Sequence, residues 1–344
     1  MNRRPFIVLA VALAAGLAAA GDALFLARPS ARATEANTAP RRCLAVGSEE
    51  PNRGMVWVPA GDYAEGDTVY PEEGPVTPAH VHGFWMDRHE VTNAQFTAFV
   101  TATGYVTQAE RSVDPATHPG LTTEMLEPGA VVFSMPKTVD GTEDISQWWR
   151  YTPGANWRHP AGPGSTIAGH ENYPVVEVTH ADALAYARWA HRALPTEAEW
   201  EWAARGGERR ASMDHDQPAN ANTWQGVFPV MNSGEDGFVG LAPSGCYPPN
   251  RYGLYDMIGN VWELTADVFK PRHESGDDPD RTPQRDENSA QYVIKGGSFL
   301  CAPNYCARYR SGSREGQEAD LAASHVGFRT ILRAPGPPAA LPAS

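Results

Sequence analysis

Cysteine is scarce in this chain, at four residues in 344. No second Cys or His pair accompanies Cys301 and Cys306 at a spacing suited to a four-ligand zinc site. His89-Glu90 lacks the second histidine of HExxH, which speaks against a zinc protease. Positive charge is short as well: 28 Lys and Arg against 41 Asp and Glu leave a net charge of −13. Binding phosphates needs clustered Lys and Arg, so nucleic acid is not an expected partner, and the charge reads as solubility. No repeat of fixed period is visible, and long helices are few. Gly and Pro, 32 and 30 residues, break the chain into turns and loops.

What is present begins with an apolar leader. MNRRPFIVLAVALAAGLAAAGDALFLARPSARA has two arginines, an apolar run and then small residues, the layout of a secretory signal peptide over residues 1–33. Its Arg3-Arg4-Pro5-Phe6-Ile7 start resembles a twin-arginine signal. The alternative is an uncleaved membrane anchor, since Phe6 to Ala27 is almost long enough to span a bilayer. Either reading places the folded part outside the cytoplasm, periplasmic or extracellular. Residues 34–53 are polar and read as a linker, residues 54–333 as one folded domain, and residues 334–344 as a Pro/Ala-rich tail.

Three helices announce themselves by threonine caps. Thr92-Asn93-Ala94-Gln95 opens one with Phe96, Phe99 and Val100 at helical spacing, closed by Gly104. Thr179-His180-Ala181-Asp182 opens a second, and Thr196-Glu197-Ala198-Glu199 a third, ended by Gly206-Gly207. In the first and third, a Gln or Glu three residues on can complete a capping box. Met55–Val58, Val175–Val178 and Tyr292–Lys295 read as strands. The class expected is α+β, irregular and loop-rich. Loops this long usually need something to pin them, and metal ions are a common means. Ten tryptophans suggest an aromatic core or an aromatic-lined groove.

In GGSFLCAPNYCARYR the thiols of Cys301 and Cys306 stand five positions apart. A disulfide is natural for an exported protein. Two thiolates also suit Cu(I), a soft ion content with two sulfur ligands and room for a third. On the residues alone both readings stay open. Hard oxygen ligands collect in NTWQGVFPVMNSGEDGF, where Asn222 and Asp236 suit calcium or simply serve turns.

Several stretches resemble one family. FWMDRHEVTNAQF, GANWRHPAGPGSTI, LPTEAEWEWAARGG, NTWQGVFPVMNSGEDGF, YGLYDMIGNVWE, GGSFLCAPNYC and HVGFR resemble, in that order, the formylglycine-generating enzymes, also called sulfatase-modifying factors. LPTEAEWE, GNVWE, GGSF and GFR mark only the broad superfamily, whereas GANWRHPAGPGSTI and the cysteine pair are narrower. The resemblance implies a C-type-lectin-like fold with little regular secondary structure. It also implies a copper-dependent oxidase that converts a cysteine in a Cys-x-Pro-x-Arg segment of an unfolded sulfatase to Cα-formylglycine with O2. In that chemistry hydrogen is removed from the substrate Cβ, and the thioaldehyde is then hydrolysed.

Carried onto this chain, the resemblance makes Cys301 and Cys306 the Cu(I) ligands, with a disulfide between them as a copper-free form. Ser298 falls beside the oxygen pocket, Trp262 matches an active-site tryptophan, and Tyr305 matches the tyrosine beside the second cysteine. Arg308 and Arg310 are read as braces of the loops. Side chains of Asn222 and Asp236 with carbonyls of Thr223 and Phe238 map onto one structural calcium site. Asp256 and Glu263 with carbonyls of Gly259 and Val261 map onto a second. There are departures from the family pattern. Ala302-Pro303 stands where members often carry His-Arg, and Ala204, Ser311 and Thr330 replace disulfide cysteines of some relatives. Cys43 and Cys246 are left over, either paired with each other or free. A monomer is expected, touching a membrane only through an uncleaved leader.

Two other functions compete. One is an exported relative that oxidises another peptide or a small metabolite; the exported location favours it. The other is a non-catalytic lectin-like binding module, which has no need of paired cysteines. A sulfoxide-synthase relative would need His-x3-His-x-Glu, which is absent.

Overall fold

A computed structural model describes residues 43–44, 54–116, 118, 120–212, 215–273 and 291–333. The leader 1–33, the tail 334–344 and most of the linker 34–53 lie outside the described residues. The chain begins in short strands, β1 (Met55–Val58), β2 (Gly61–Glu65), β3 (Thr77–Val81) and β4 (Phe84–Asp87), and reaches helix α1 (Asn93–Thr103). Strands β5 (Gly129–Phe133) and β6 (Trp149–Pro153) precede helices α2 (His180–Trp189) and α3 (Glu197–Ala204). The C-terminal half holds β7 (Gly226–Val227), β8 (Met231–Asn232), β9 (Trp262–Val268), β10 (Gln291–Lys295), β11 (Arg314–Glu318), β12 (Val326–Gly327) and β13 (Ile331–Leu332).

Each helix starts where its threonine predicts. Thr92, Thr179 and Thr196 each accept a hydrogen bond from the backbone N–H three residues on. The return bond comes from Gln95 and Glu199 as expected, but α2 completes its box too. The Thr179 N–H donates to Asp182 Oδ2 at 2.8 Å, so a shorter carboxylate serves as well. Gly104 closes α1 in the left-handed region at φ 66°, its N–H donating to the Val100 carbonyl.

The sheets are small. One runs β1-β4-β13, and β2-β3, β5-β6 and β7-β8 are isolated pairs. The sheet that matters for the site has the order β11-β10-β9-β12, antiparallel except for the parallel β9–β12 pair. One expected strand is missing. At Val175–Val178 the Val175 N–H bonds to the Val91 carbonyl and the Glu177 N–H to the Ala323 carbonyl. Glu177 sits at φ 58°, which breaks any extended run there.

Tryptophan fills the interior as its abundance suggested. Trp157 packs with Phe96, Tyr186 and Phe328, and Trp200 with Phe84 and Met86. A third cluster joins Trp148, Trp224, Phe228, Phe299, Leu300 and Ala302. Burying one such large side chain contributes roughly 1.5–3 kcal/mol. These clusters, and not long ladders of backbone bonds, hold the loops in place. Cys43 and Cys246 form a disulfide, the paired alternative of the two, and the Leu44 N–H beside it donates to the Gly245 carbonyl.

Candidate active site

The loop after β10 is built around two glycines. Gly296 and Gly297 lie at φ 94° and 73°. A Cβ on Gly297 would meet the Arg308 carbonyl oxygen at 2.7 Å and the Cys301 sulfur at 3.2 Å. Only glycine allows the chain to turn there at that distance. The Cys301 N–H then donates to the Ser298 carbonyl, and the N–H groups of Tyr305 and Cys306 both reach the Ala302 carbonyl. Pro303 takes the second position of that turn, where its fixed φ is favourable. Ala302 is fully buried in the third aromatic cluster. Ala302-Pro303 thus makes a tight, apolar-anchored turn that carries Cys306 back to Cys301.

The two sulfurs end 3.1 Å apart, against about 2.0 Å in a disulfide, and both are free thiols. Cys301 is buried and Cys306 half-buried. Burial pushes the Cys301 thiol well up, and its hydrogen bond to Cys306 holds the Cys306 thiol down. Either thiol can be the donor in that contact. The Ser298 N–H points at the Cys301 sulfur at 3.5 Å.

Both thiols line a cavity of about 420 Å³. Its wall also holds Trp262, Ser298 and Tyr305, so the five residues singled out from the sequence meet in one place. Trp262 opens β9 beside Val326 of β12 and donates its N–H to the His325 carbonyl. Tyr305, 39% exposed, stacks on Phe228 with ring centroids 4.3 Å apart. Other wall residues were not anticipated: Ile145, Trp149, Arg308, Glu315, Gln317 and His325. His325 belongs to the quoted HVGFR stretch, but its place on the wall follows from the β9–β12 register. Burial holds its imidazole down to about 4, so it is neutral, and it packs on Trp149 at 4.7 Å. Arg308 was read as a brace, and it is one: it grips Glu72 through both Nε and Nη2. It also faces the cavity.

The donor set fits a soft metal. Two adjacent sulfurs open onto a cavity whose wall is mixed, aromatic at Trp149, Phe228, Trp262 and Tyr305 and polar at Ser298, Arg308, Glu315, Gln317 and His325. Among the described residues no group of three or more His, Cys, Asp or Glu side chains is placed to hold a metal ion.

The residues proposed for calcium lie in two further places. Asp236 accepts hydrogen bonds from the Thr223 N–H at 2.9 Å and the Phe238 N–H at 3.1 Å, which draws the four predicted residues of the first site into one loop knot. The Asn222 amide nitrogen donates to the Gly240 carbonyl and to Asn260 Oδ1. At the second site the Gly245 N–H donates to the Asp256 carboxylate, and both oxygens of Glu263 accept from Arg329 at 2.6 Å. Glu90 stands with them, one oxygen bonded to Asn260 and the other without a partner. Three buried carboxylates share one guanidinium there. Burial pushes all three upward, Asp256 furthest, with Glu90 adding to its rise. Negative charge is in excess there, and Glu263 is engaged through both oxygens by Arg329.

Comparison with known proteins identifies the family. Residues 43–334 match the family model described as Sulfatase-modifying factor enzyme 1-like domain. The chain is 49% identical over 291 residues to the formylglycine-generating enzyme of Mycobacterium tuberculosis, covering 80% of this chain and 97% of that one. It is 42% identical over 297 residues to the enzyme of the same name from Thermomonospora curvata, covering 82% and 94%. Among solved structures, PvdO from Pseudomonas aeruginosa superposes with a TM-score of 0.55 at 24% identity, covering 81% of this chain and 93% of that one, a likeness of fold.

Proposed function

The chain belongs to the formylglycine-generating enzyme (sulfatase-modifying factor) family, and from that premise we propose that it oxidises a cysteine of a sulfatase to Cα-formylglycine. The client segment would be Cys-x-Pro-x-Arg in a chain not yet folded, and O2 the oxidant. The observation that carries this reading is the pair of free thiols 3.1 Å apart on one cavity wall with Ser298, Trp262 and Tyr305.

Cys301 and Cys306 would hold Cu(I). The bound ion would supply the one-electron and O2 chemistry that amino-acid side chains lack, with the client thiol as a further sulfur ligand. The chain's own residues bind, position and exclude water. The double-glycine turn fixes Cys301, and the Ser298 N–H directed at its sulfur favours the thiolate that a metal requires. Cys306 is the half-buried partner, so a client thiol reaches it first. Buried Trp262 would give the cavity wall apolar surface that excludes water, and half-exposed Tyr305, stacked on Phe228, would meet the client. Calcium would serve structure, one ion held by Asn222, Asp236 and the carbonyls of Thr223 and Phe238. A second would be held by Asp256, Glu263 and the carbonyls of Gly259 and Val261.

The test is direct. Protein loaded with Cu(I) is incubated in air with a peptide containing Cys-Thr-Pro-Ser-Arg, and the product is weighed by mass spectrometry. Conversion to the aldehyde is expected, and Cys301→Ser or Cys306→Ser should abolish both copper binding and conversion. Absence of aldehyde from fully loaded protein would sink the oxidase reading. A serine variant that still turns over would remove the ligand assignment.

A further inference from the structure

One carboxylate on the cavity wall has no hydrogen-bond donor among the described residues and only a long ion pair. Glu315 lies on β11 opposite Ile294 of β10, and both face the cavity that holds Cys301 and Cys306. Its side chain keeps 46% of its accessible surface. Among the described residues none donates a hydrogen bond to it; its nearest cation, Arg308 Nε, stands 3.9 Å from Oε2. Arg308 is already taken. Its Nε and Nη2 both donate to Glu72 Oε1, at 3.2 and 2.5 Å, and its guanidinium lies 4.1 Å above the Tyr70 ring. One guanidinium therefore faces two carboxylates, Glu72 behind it and Glu315 on the cavity wall. Burial raises the Glu315 carboxyl, Arg308 offsets this only in part, and Glu72 and Glu318 add to the rise.

The neighbouring arginines of this segment behave differently. Arg310 is bound by Asp67 and Glu73, and Arg314 by both oxygens of Glu197. A carboxylate left without a donor, in a cavity shaped to receive a ligand, is the complement of a cation that arrives with that ligand.

We propose that Glu315 is a specificity-determining residue that accepts the cationic side chain of the client peptide, an Arg or Lys within a few residues of the cysteine being oxidised. Arg is the better fit, because a planar guanidinium can give two N–H bonds to one carboxylate. Ile145, 53% exposed, and Tyr305 lie on the same wall and offer apolar surface to the residues between the cysteine and the cation. This rests on the oxidase reading for the identity of the client, but its own test is one of binding.

Copper-loaded full-length protein is titrated into a fluorescently labelled Cys-Thr-Pro-Ser-Arg peptide and into the same peptide with citrulline in place of Arg. Citrulline keeps the shape and removes the charge. For the native protein the exchange should weaken binding about five- to tenfold, the range of a partly exposed charge-assisted contact. For Glu315→Gln the two peptides should bind within about twofold of each other. A charge swap provides the independent check: Glu315→Lys should prefer a peptide with Glu at the Arg position. The proposal is overturned if native protein binds both peptides alike, or if Glu315→Gln keeps the full preference for Arg. Equal loss of turnover with both peptides and an unchanged preference would overturn it as well, placing Glu315 on the thiols instead. Failure of the oxidase reading looks different, as binding selectivity without any aldehyde.

Discussion

Two buried clusters of charge meet at helix α3 and solve the same problem in opposite ways. In the first, Glu197 and Glu201 of α3 face Lys295, Arg314 and Arg205, all with side chains no more than 3% exposed. Lys295 Nζ reaches Glu201 Oε2 at 2.8 Å, and Arg314 clasps Glu197 through two nitrogens. In the second, Trp200 of the same helix donates to Glu263, where Glu90, Asp256 and Glu263 have only Arg329. Burial alone would raise every carboxyl in both. In the first cluster Arg314, Lys295 and their neighbours overcome it, and Glu197 is held down to about 2. In the second, burial wins. The difference is charge count: one cluster is complete, with three cations for two carboxylates, and the other is incomplete, with one guanidinium among the described residues for three carboxylates.

Removing a cation from the complete cluster should therefore do the greatest damage. Lys295→Met takes the Nζ partner from Glu201, leaving it Arg205, and leaves Glu197 to Arg314, an expected loss of about 3–5 kcal/mol in urea unfolding. Lys295 directly precedes Gly296, so the same variant should loosen the cysteine turn and lower copper affinity. The complete cluster also sets an acid limit. Because the folded-state value of Glu197 lies below its ordinary 4.5, its stabilisation is present above that pH and is lost as pH falls toward 2. The full contribution is about 3 kcal/mol by linkage, visible as a falling unfolding midpoint between pH 4.5 and 2. Lys295→Met should flatten that slope; an unchanged slope would show that Lys295 does not hold Glu197.

The incomplete cluster should respond in the opposite sense. Calcium at about a hundred times its dissociation constant should stabilise the protein by about 2.7 kcal/mol, and a chelator should reverse it. Asp256→Asn removes one surplus carboxylate while the amide oxygen can still accept from the Gly245 N–H. In chelator the variant should be more stable than the native protein by about 1 kcal/mol, and its melting temperature should gain less from calcium. A loss of stability in chelator, like that of the lysine variant, would erase the distinction between the two clusters.

Much of this was legible in the sequence where the determinants are local. The threonine caps, the closing Gly104 and the Gly296-Gly297 turn act through neighbours a few residues away, and their types suffice to place them. The cysteine pair was legible for the same reason, and the family resemblance supplied Ser298, Trp262 and Tyr305. What was not legible depends on register and long-range pairing. Glu315 faces the cavity because β11 pairs with β10, and His325 because β12 lies parallel to β9. Glu263 looked like a plain oxygen ligand, whereas Arg329, 66 residues away, claims both its oxygens. Val175–Val178 has the composition of a strand, and only the tertiary bonds of Val175 and Glu177 show that it is none.

Glu177 itself is a third way of burying a carboxyl, with no partner at all. Its side chain is fully buried, neither oxygen has a hydrogen-bond partner, and its backbone sits at φ 58°. Burial pushes its carboxyl well above the ordinary value, with nothing to oppose it. The sign is the reverse of that for Glu197. The folded chain holds a proton that the unfolded chain gives up above about pH 4.5, so stability is intact below that pH and drains away as pH rises toward the folded value. Glu177→Gln keeps the shape and removes the titration. Urea midpoints should therefore coincide at pH 4, and the variant should be the more stable by about 1 kcal/mol at pH 8. If the midpoints coincide at pH 8 as well, Glu177 has partners that make its charge cheap, and it would not differ in kind from Glu197.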